Sequence, residues 1–285
     1  MTNKPKISFV IPCYNDGRFI RDAIESVEKC PYGLYELIIV DDGSTDEQTT
    51  ATMQDLVERS YNVIRQDNKG LAAARNAGIS ASSGEYILPL DSDNKIRPEF
   101  VVEAVRILDQ NHEISVVHGD FQYFGLIDDL CKIAPFDIRK MMYSNYIDAC
   151  ALYRKDVWAA CHGYDEKMPV MGVEDWEFWL HAYTKGARFL HLEMVAFDYA
   201  NRPDSMLQNT KLKENWQVSE EYIYRKYAAL AKEYYQDYHD WNYHGRELRR
   251  RPVRTLFRLF TNALWPRLHD RIYKIPTTAE RSRKL

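Results

Sequence analysis

The sequence predicts an α/β fold, a mostly parallel sheet flanked by helices with a C-terminal helical extension. Three observations carry that expectation. Short β-rich apolar runs alternate with segments of helical period through roughly the first 120 residues, the pattern of successive β-then-α units. Carboxylates and turn formers follow several of the runs, as at Asp41-Asp42-Gly43-Ser44 and Asp91-Ser92-Asp93-Asn94. Beyond residue 210 the pattern changes to longer amphipathic helix with a basic end.

Taken in order, Ile7 to Ile11 reads as a strand ended by Pro12, and Asp16-Gly17 opens a helix with Phe19, Ala23 and Val27 four apart. Glu36 to Val40 is a second strand, and Ser44 with Glu47 has the spacing of a capping box at the next helix start. A third strand, Asn62 to Arg65, leads through Asn68-Lys69-Gly70 into an Ala-rich helix from Leu71 to Ser80. Tyr86 to Leu90 is a buried strand that delivers Asp91 and Asp93 at its C-terminal end, where open α/β sheets bind ligands. Pro98 suits the first turn of a helix to about Asp109, and Ile114 to His118 is a further strand. These turns are expected to gather Pro12, Asp41, the start of helix 71–80 and Asp91 around one crevice.

The second half reads as helix near Asp137 to Tyr143, an extended segment near Ala149 to Tyr153, and a short helix from Lys155 to Ala160. Trp176, Trp179, Leu180 and Tyr183 then have amphipathic helical spacing, which puts Glu174 and Asp175 in the first turn. Carboxylates there are favoured by the helix dipole, so capping alone would account for them. Arg188 to Leu192 and Val195 to Tyr199 read as two strands, followed by a loop from Asn201 to Ser205. Leu212 to about Tyr235 and a segment starting at Pro252 read as helices.

At 285 residues the chain has room for one large core or a domain with an appendage. The net charge of -4 argues against a nucleic-acid binder. That value hides an asymmetry: residues 245–285 hold 12 Lys/Arg against 3 Asp/Glu. A basic amphipathic helix with Phe and Trp nearby suits peripheral contact with an anionic membrane surface, or a docked helix with a solvated basic side. The five cysteines form no C-x-x-C pair, and no apolar run approaches the roughly 20 residues of a membrane span. Met1 to Lys6 is polar, so no signal peptide is expected and a cytoplasmic setting is the simplest. Asp-x-Asp at a strand end suits a hard divalent cation that also holds phosphate oxygens; the bland alternative is a solvated turn.

The motifs together resemble family 2 glycosyltransferases of the GT-A fold, whose sheet is Rossmann-like. The resemblance is carried by Val10-Ile11-Pro12-Cys13-Tyr14-Asn15, Val40 to Asp46, Asn68-Lys69-Gly70 through Ala74-Arg75-Asn76-Ala77-Gly78, Asp91-Ser92-Asp93 and Glu174-Asp175-Trp176, in the family's order. It covers about residues 7 to 206 and implies a catalytic domain over 1–210, with a nucleotide-binding half to about 95 and an acceptor half over 96–210. Residues 211–285 form the basic helical extension outside it.

The resemblance implies an inverting transferase that moves a sugar from a nucleotide diphosphate sugar, a UDP-sugar, to a carbohydrate hydroxyl in cell-envelope glycan assembly. Pro12, Tyr14, Asp41, Arg75 and Asp91 are the expected nucleotide contacts; Asp41 can accept the N3–H of a uracil-like ring, and Asp42 reads as a turn or cap residue. Asp93, with Asp91, is the expected ligand of Mn²⁺ or Mg²⁺, and Asn94 stands where many relatives carry another Asp. Asp175 is the expected general base, with Glu174 as its neighbour in positioning or acceptor binding. Trp176 offers a face to a sugar ring or belongs to the core. Asp120, His118 and Asp148 are candidates to line the donor sugar, and Arg202 to touch the diphosphate or acceptor. The acceptor is expected to be a glycan, lipid-linked or free. A non-catalytic nucleotide-sugar binder would keep the crevice and lose the base, and a sugar-nucleotide pyrophosphorylase would need a Gly-rich loop that Pro12 to Asp16 does not supply.

Overall fold

The computed structural model describes residues 6–31, 35–203 and 213–234. Alternating runs become β1 (Ile7–Cys13), α1 (Ile20–Glu28), β2 (Tyr35–Asp41), α2 (Glu47–Glu58), β3 (Asn62–Arg65), α3 (Leu71–Ala81) and β4 (Tyr86–Pro89). These strands lie parallel in the order β3-β2-β1-β4. Pro12 does not end the first strand. Val10 accepts the Leu90 N–H on the β4 side, so Pro12, two residues on, turns its missing N–H to the same side, beyond the last β1–β4 pair at Val10 and Pro89.

The sheet then changes character. β5 (Lys95–Ile96), α4 (Pro98–Gln110), β6 (Val116–Gly125), β7 (Leu130–Cys131), α5 (Ile138–Met141), β8 (Leu152–Arg154), α6 (Lys155–Ala160), α7 (Glu174–Thr184) and β9 (Phe189–Asn201) follow. Order continues β4-β8-β6-β9-β5, with β8 antiparallel to both neighbours, so the strand after α4 is not a simple extension of the parallel half. The two strands expected between Arg188 and Tyr199 are one. β9 pairs with β6 from Phe189 to Asn201, and its register jumps from Leu192 opposite Gly119 to Val195 opposite Asp120. That irregularity absorbs Glu193 and Met194, the two positions left between the expected strands.

Two helix starts also differ from the expected ones. Asp46, not Ser44, caps α2 by accepting the Thr49 N–H, because Ser44 Oγ is taken by the Asn15 backbone N–H. α1 starts at Ile20 after a turn, which leaves the Asp16 side chain for other work. The core joins Phe9, Ile11, Ile39 and Leu88 of the central strands to Ile20, Ala23 and Val27 of α1 and Phe100 and Ala104 of α4. Each of the larger of these side chains contributes on the order of 1.5–3 kcal/mol by leaving water.

A first compact unit runs through Lys226 and a second comprises residues 227–285. The first therefore includes α8 (Lys213–Lys226), part of the helix expected beyond residue 210. In the second unit residues 228–234 are helical. The helix expected from Pro252 and the basic residues 245–285 lie outside the described residues. Among the described residues no helix is long and apolar enough to cross a membrane.

Candidate active site

The C-terminal ends of β1 and β4 and the N-terminus of α3 face a cleft of about 510 Å³, closed on its far side by the β6–β7 strands, residues 145–149 and the start of α7. Pro12, Tyr14, Arg75, Asp91, Asp93, Glu174, Asp175 and Arg202 line it. So do Asp16, Asp42 and Asp148. Tyr14 is about half exposed at 48%, which leaves its ring face open to a ligand.

The wall formed by the ends of β1 and β2 and the start of α3 is built by local loop chemistry. Gly43, at φ +75, turns the chain after β2, and a Cβ there would sit 2.5 Å from the Asn68 nitrogen. That close approach lets Asp42 accept from Lys69 N, Gly70 N and the Gln66 amide, which seats the start of α3 at the cleft. Asp42 is thus the loop organiser its sequence position suggests, and it also lines the cleft. Asp41 does not line the cleft. Its buried carboxylate accepts from Ser44 N and pairs with Arg65 at 2.9 Å, so it is turned under the loop.

At the Asp-x-Asp turn, Asp91 Oδ1 pairs with Arg75 at 2.7 Å and Asp93 Oδ2 pairs with Arg202 at 2.9 Å. Arg202 also reaches both carboxylate oxygens of Asp16, at 3.1 and 3.0 Å, and lies over the Phe19 ring. Asn94 is buried and accepts the Ala200 N–H, which ties this turn to the end of β9 and so places Arg202. Burial, then the nearby charge of Asp91, pushes Asp93 up to about 6, with Arg202 pulling the other way. Arg75 is buried beside Tyr164, and its Nε has no hydrogen-bond partner among the described residues.

Across the cleft, Asp175 accepts its neighbour's Trp176 N–H at 2.9 Å and a hydrogen bond from the Asn145 side chain. Burial raises it to about 6 despite the Arg75 charge, and Glu174 adds to the rise. Glu174, buried in the same turn, accepts from Gly172 N and is also pushed up, chiefly by burial. Asp148 accepts from Cys150 N; burial, then the charges of Asp91 and Asp175, raises it too. A carboxylate pushed up to about 6 that faces the Asp91–Asp93 turn across one cleft is suited to proton abstraction.

Besides Asp41, three expected site residues lie elsewhere. Trp176 is fully buried, donates its indole N–H to the Met141 carbonyl and stacks on Trp216 with ring centroids 5.2 Å apart, so it belongs to the core. Asp120 is outside the cleft wall, because its Oδ1 is held by Ile133 N and by His191 Nε2 at 2.9 Å. His118, its ring 5.1 Å from that of His191 and tilted against it by 35°, is buried outside the cleft as well. Conversely, Asp16 and Asn145 are site residues that periodicity does not single out. The one available signal for Asp16 was that it follows the end of β1 by three residues.

A model described as glycosyl transferase family 2 matches residues 8–158, just over half of the chain. The chain is similar to glycosyltransferase GlyG of Streptococcus pneumoniae, 39% identical over 127 residues, which is 43% of this chain and 41% of GlyG. It is also similar to glycosyltransferase GlyA of the same organism, 35% identical over 123 residues, 42% of this chain and 17% of GlyA. The chain thus spans less than half the length of either relative. Among solved structures, S. aureus TarS in complex with UDP-GlcNAc superposes with a TM-score of 0.61 at 20% identity, over 75% of this chain and 64% of that one. The mannosyltransferase PcManGT of Pyrobaculum calidifontis, in complex with GDP-Man and Mn²⁺, gives 0.53 at 17% identity, over 72% and 59%. The shared fold is GT-A.

Proposed function

This chain belongs to glycosyl transferase family 2, and on that premise we propose that it moves a sugar, with inversion, from a UDP-sugar to a carbohydrate hydroxyl with the help of a divalent cation. The reading rests on one observation: Asp93 and Asp175, far apart in sequence, line a single cleft. Support for a uridine nucleotide comes from TarS, which shares the fold and holds UDP-GlcNAc.

The residues present fit a metal. Seven carboxylates and two guanidinium groups line the cleft, so a diphosphate entering alone would add anionic charge to an anionic site. Asp91 and Asp93 would hold the ion. An ion of the Mg²⁺ type takes one or two carboxylates and completes its shell with substrate phosphates, so the two carboxylates of this turn would suffice. Such an ion supplies neutralisation of the diphosphate as a leaving group. Support for Mn²⁺ comes from PcManGT.

The chain's own groups do the rest. Pro12, Tyr14 and Asp42 bracket the nucleobase, with Asp41 acting beneath the loop. Arg75 and Arg202, both lining the cleft, offer guanidinium charge to phosphate oxygens. Asp175 accepts the acceptor hydroxyl's proton as the new C–O bond forms on the anomeric carbon opposite the departing diphosphate, which inverts its configuration. Glu174 orients the acceptor. The basic residues 245–285 add attraction to an anionic membrane surface, where a lipid-linked glycan acceptor would be found. Asp175→Asn tests the reading: UDP binding should persist while transfer falls by about 10² or more. Wild-type turnover would overturn it.

A further inference from the structure

The first turn of α7 is held from behind by a helix that lies beyond the matched segment. Resting on the assignment of Asp175 as base, we infer that Trp216 and Lys226 of α8 are positioning residues for that turn. Trp216, Ser219, Ile223 and Lys226 fall at i, i+3, i+7 and i+10, one stripe of α8. Ser219 and Ile223 are fully buried. The ring of Trp216 lies nearly parallel to that of Trp176, at 13°. Lys226 Nζ sits 2.8 Å from Oε1 of Glu177, a fully buried carboxylate. Asp175 faces the cleft, while its next two neighbours in sequence are gripped by α8. The turn that carries the base is therefore registered against α8 through a ring stack and an ion pair.

Lys226 also pairs with Asp165, whose Oδ2 accepts from the Tyr222 hydroxyl at 2.6 Å. Asp165 follows Tyr164, and Tyr164 is tied to α3 by Asn76, which accepts its N–H at 2.7 Å and donates to its carbonyl at 2.9 Å. One ammonium thus joins the base-bearing helix to the loop packed under α3. Lys226 meets α7 directly, at Glu177, and α3 through Asp165, Tyr164 and Asn76, so its removal should be felt first at the base.

A base must sit within about 3 Å of the hydroxyl it deprotonates, and a displacement of about 1 Å far from the chemistry can cost 10²-fold. Trp216→Ala and Lys226→Met should therefore lower kcat roughly ten- to a hundred-fold, with donor KM within about twofold of wild type. The number of UDP sites per chain, counted by titration calorimetry, should stay unchanged. Trp216→Phe and Lys226→Arg should recover most of the rate, since each keeps the ring or the charge. Unchanged kcat in both truncations would overturn the inference, and so would a rise in donor KM as large as the fall in kcat with the number of UDP sites intact. If the alanine or methionine variant fails to fold, the comparison of Lys226→Arg with Lys226→Gln decides by the same readouts. Full transfer by Asp175→Asn would instead remove the base assignment, independently of α8.

Discussion

Asp175 combines the requirements of a base in one side chain: it opens to the cleft, is partly desolvated, and has Arg75 near enough to limit its rise to about 6. Its protonated form is useless for abstraction, so kcat should climb with pH through about 6 and level off above it. Measuring kcat from pH 5 to 8 checks this, and the residual rate of Asp175→Asn should lack that limb. Asp148 makes the opposite point about stability. Its folded-state pKa stands above the ordinary carboxylate value, so it favours the fold while protonated and ceases to as pH rises through the shifted value. Asp148→Asn keeps an oxygen for the Cys150 N–H, and should raise the melting temperature at pH 8 by about 2–4 °C, as about 1 kcal/mol does in a chain of this size. The gain should vanish below pH 4, and equal melting temperatures at pH 8 would argue that Asp148 is solvated.

At the scale of elements, the donor side depends on how closely α3 lies on the sheet. Gly78 faces β1 and β2, and a Cβ there would meet Val10 Cγ1 at 2.4 Å and Val40 Cγ2 at 3.0 Å. Gly78→Ala gains up to about 1 kcal/mol of helix propensity but overpacks a buried contact, which costs about 1–3 kcal/mol. The expected net is a lower urea midpoint with weaker UDP binding, because Arg75 and the α3 N-terminus move with the helix. A higher midpoint would mean that α3 can withdraw from β1 at no cost. On the acceptor side the corresponding element is α7, whose burial of Trp176, Phe178 and Trp179 leaves its N-terminal turn little freedom.

For the whole molecule, the parallel half supplies one wall of the cleft and the mixed half closes it. Ligands that bind only the folded state raise its apparent stability, so a UDP-sugar with Mn²⁺ should shift the melting transition upward by several degrees. A chelator should remove most of that shift, because the cleft's excess carboxylate opposes a diphosphate without a cation. A shift of equal size in chelator would count against the metal. Residues 245–285 carry a net charge of +9, leaving -13 on the remainder. Deleting 246–285 should reduce co-sedimentation with anionic vesicles and leave neutral vesicles unaffected; a purely packed tail would leave both unchanged.

The sequence by itself determined the order of strands and helices through β4, the placing of Glu174 and Asp175 in the first turn of α7, and the motifs of the family. These are local properties: apolar period, turn residues and short fixed spacings act over a few positions. Only the tertiary structure decided that Trp176 is core, that Asp120 belongs to His191 and Ile133, and that Asp42 faces the cleft in place of Asp41. It also merged two expected strands into β9 and recruited Asp16 and Asn145 to the site. In each case the partner is distant in sequence or the outcome turns on which oxygen a loop N–H reaches. A carboxylate's neighbours, not its own letter, set whether it braces a loop or meets a substrate.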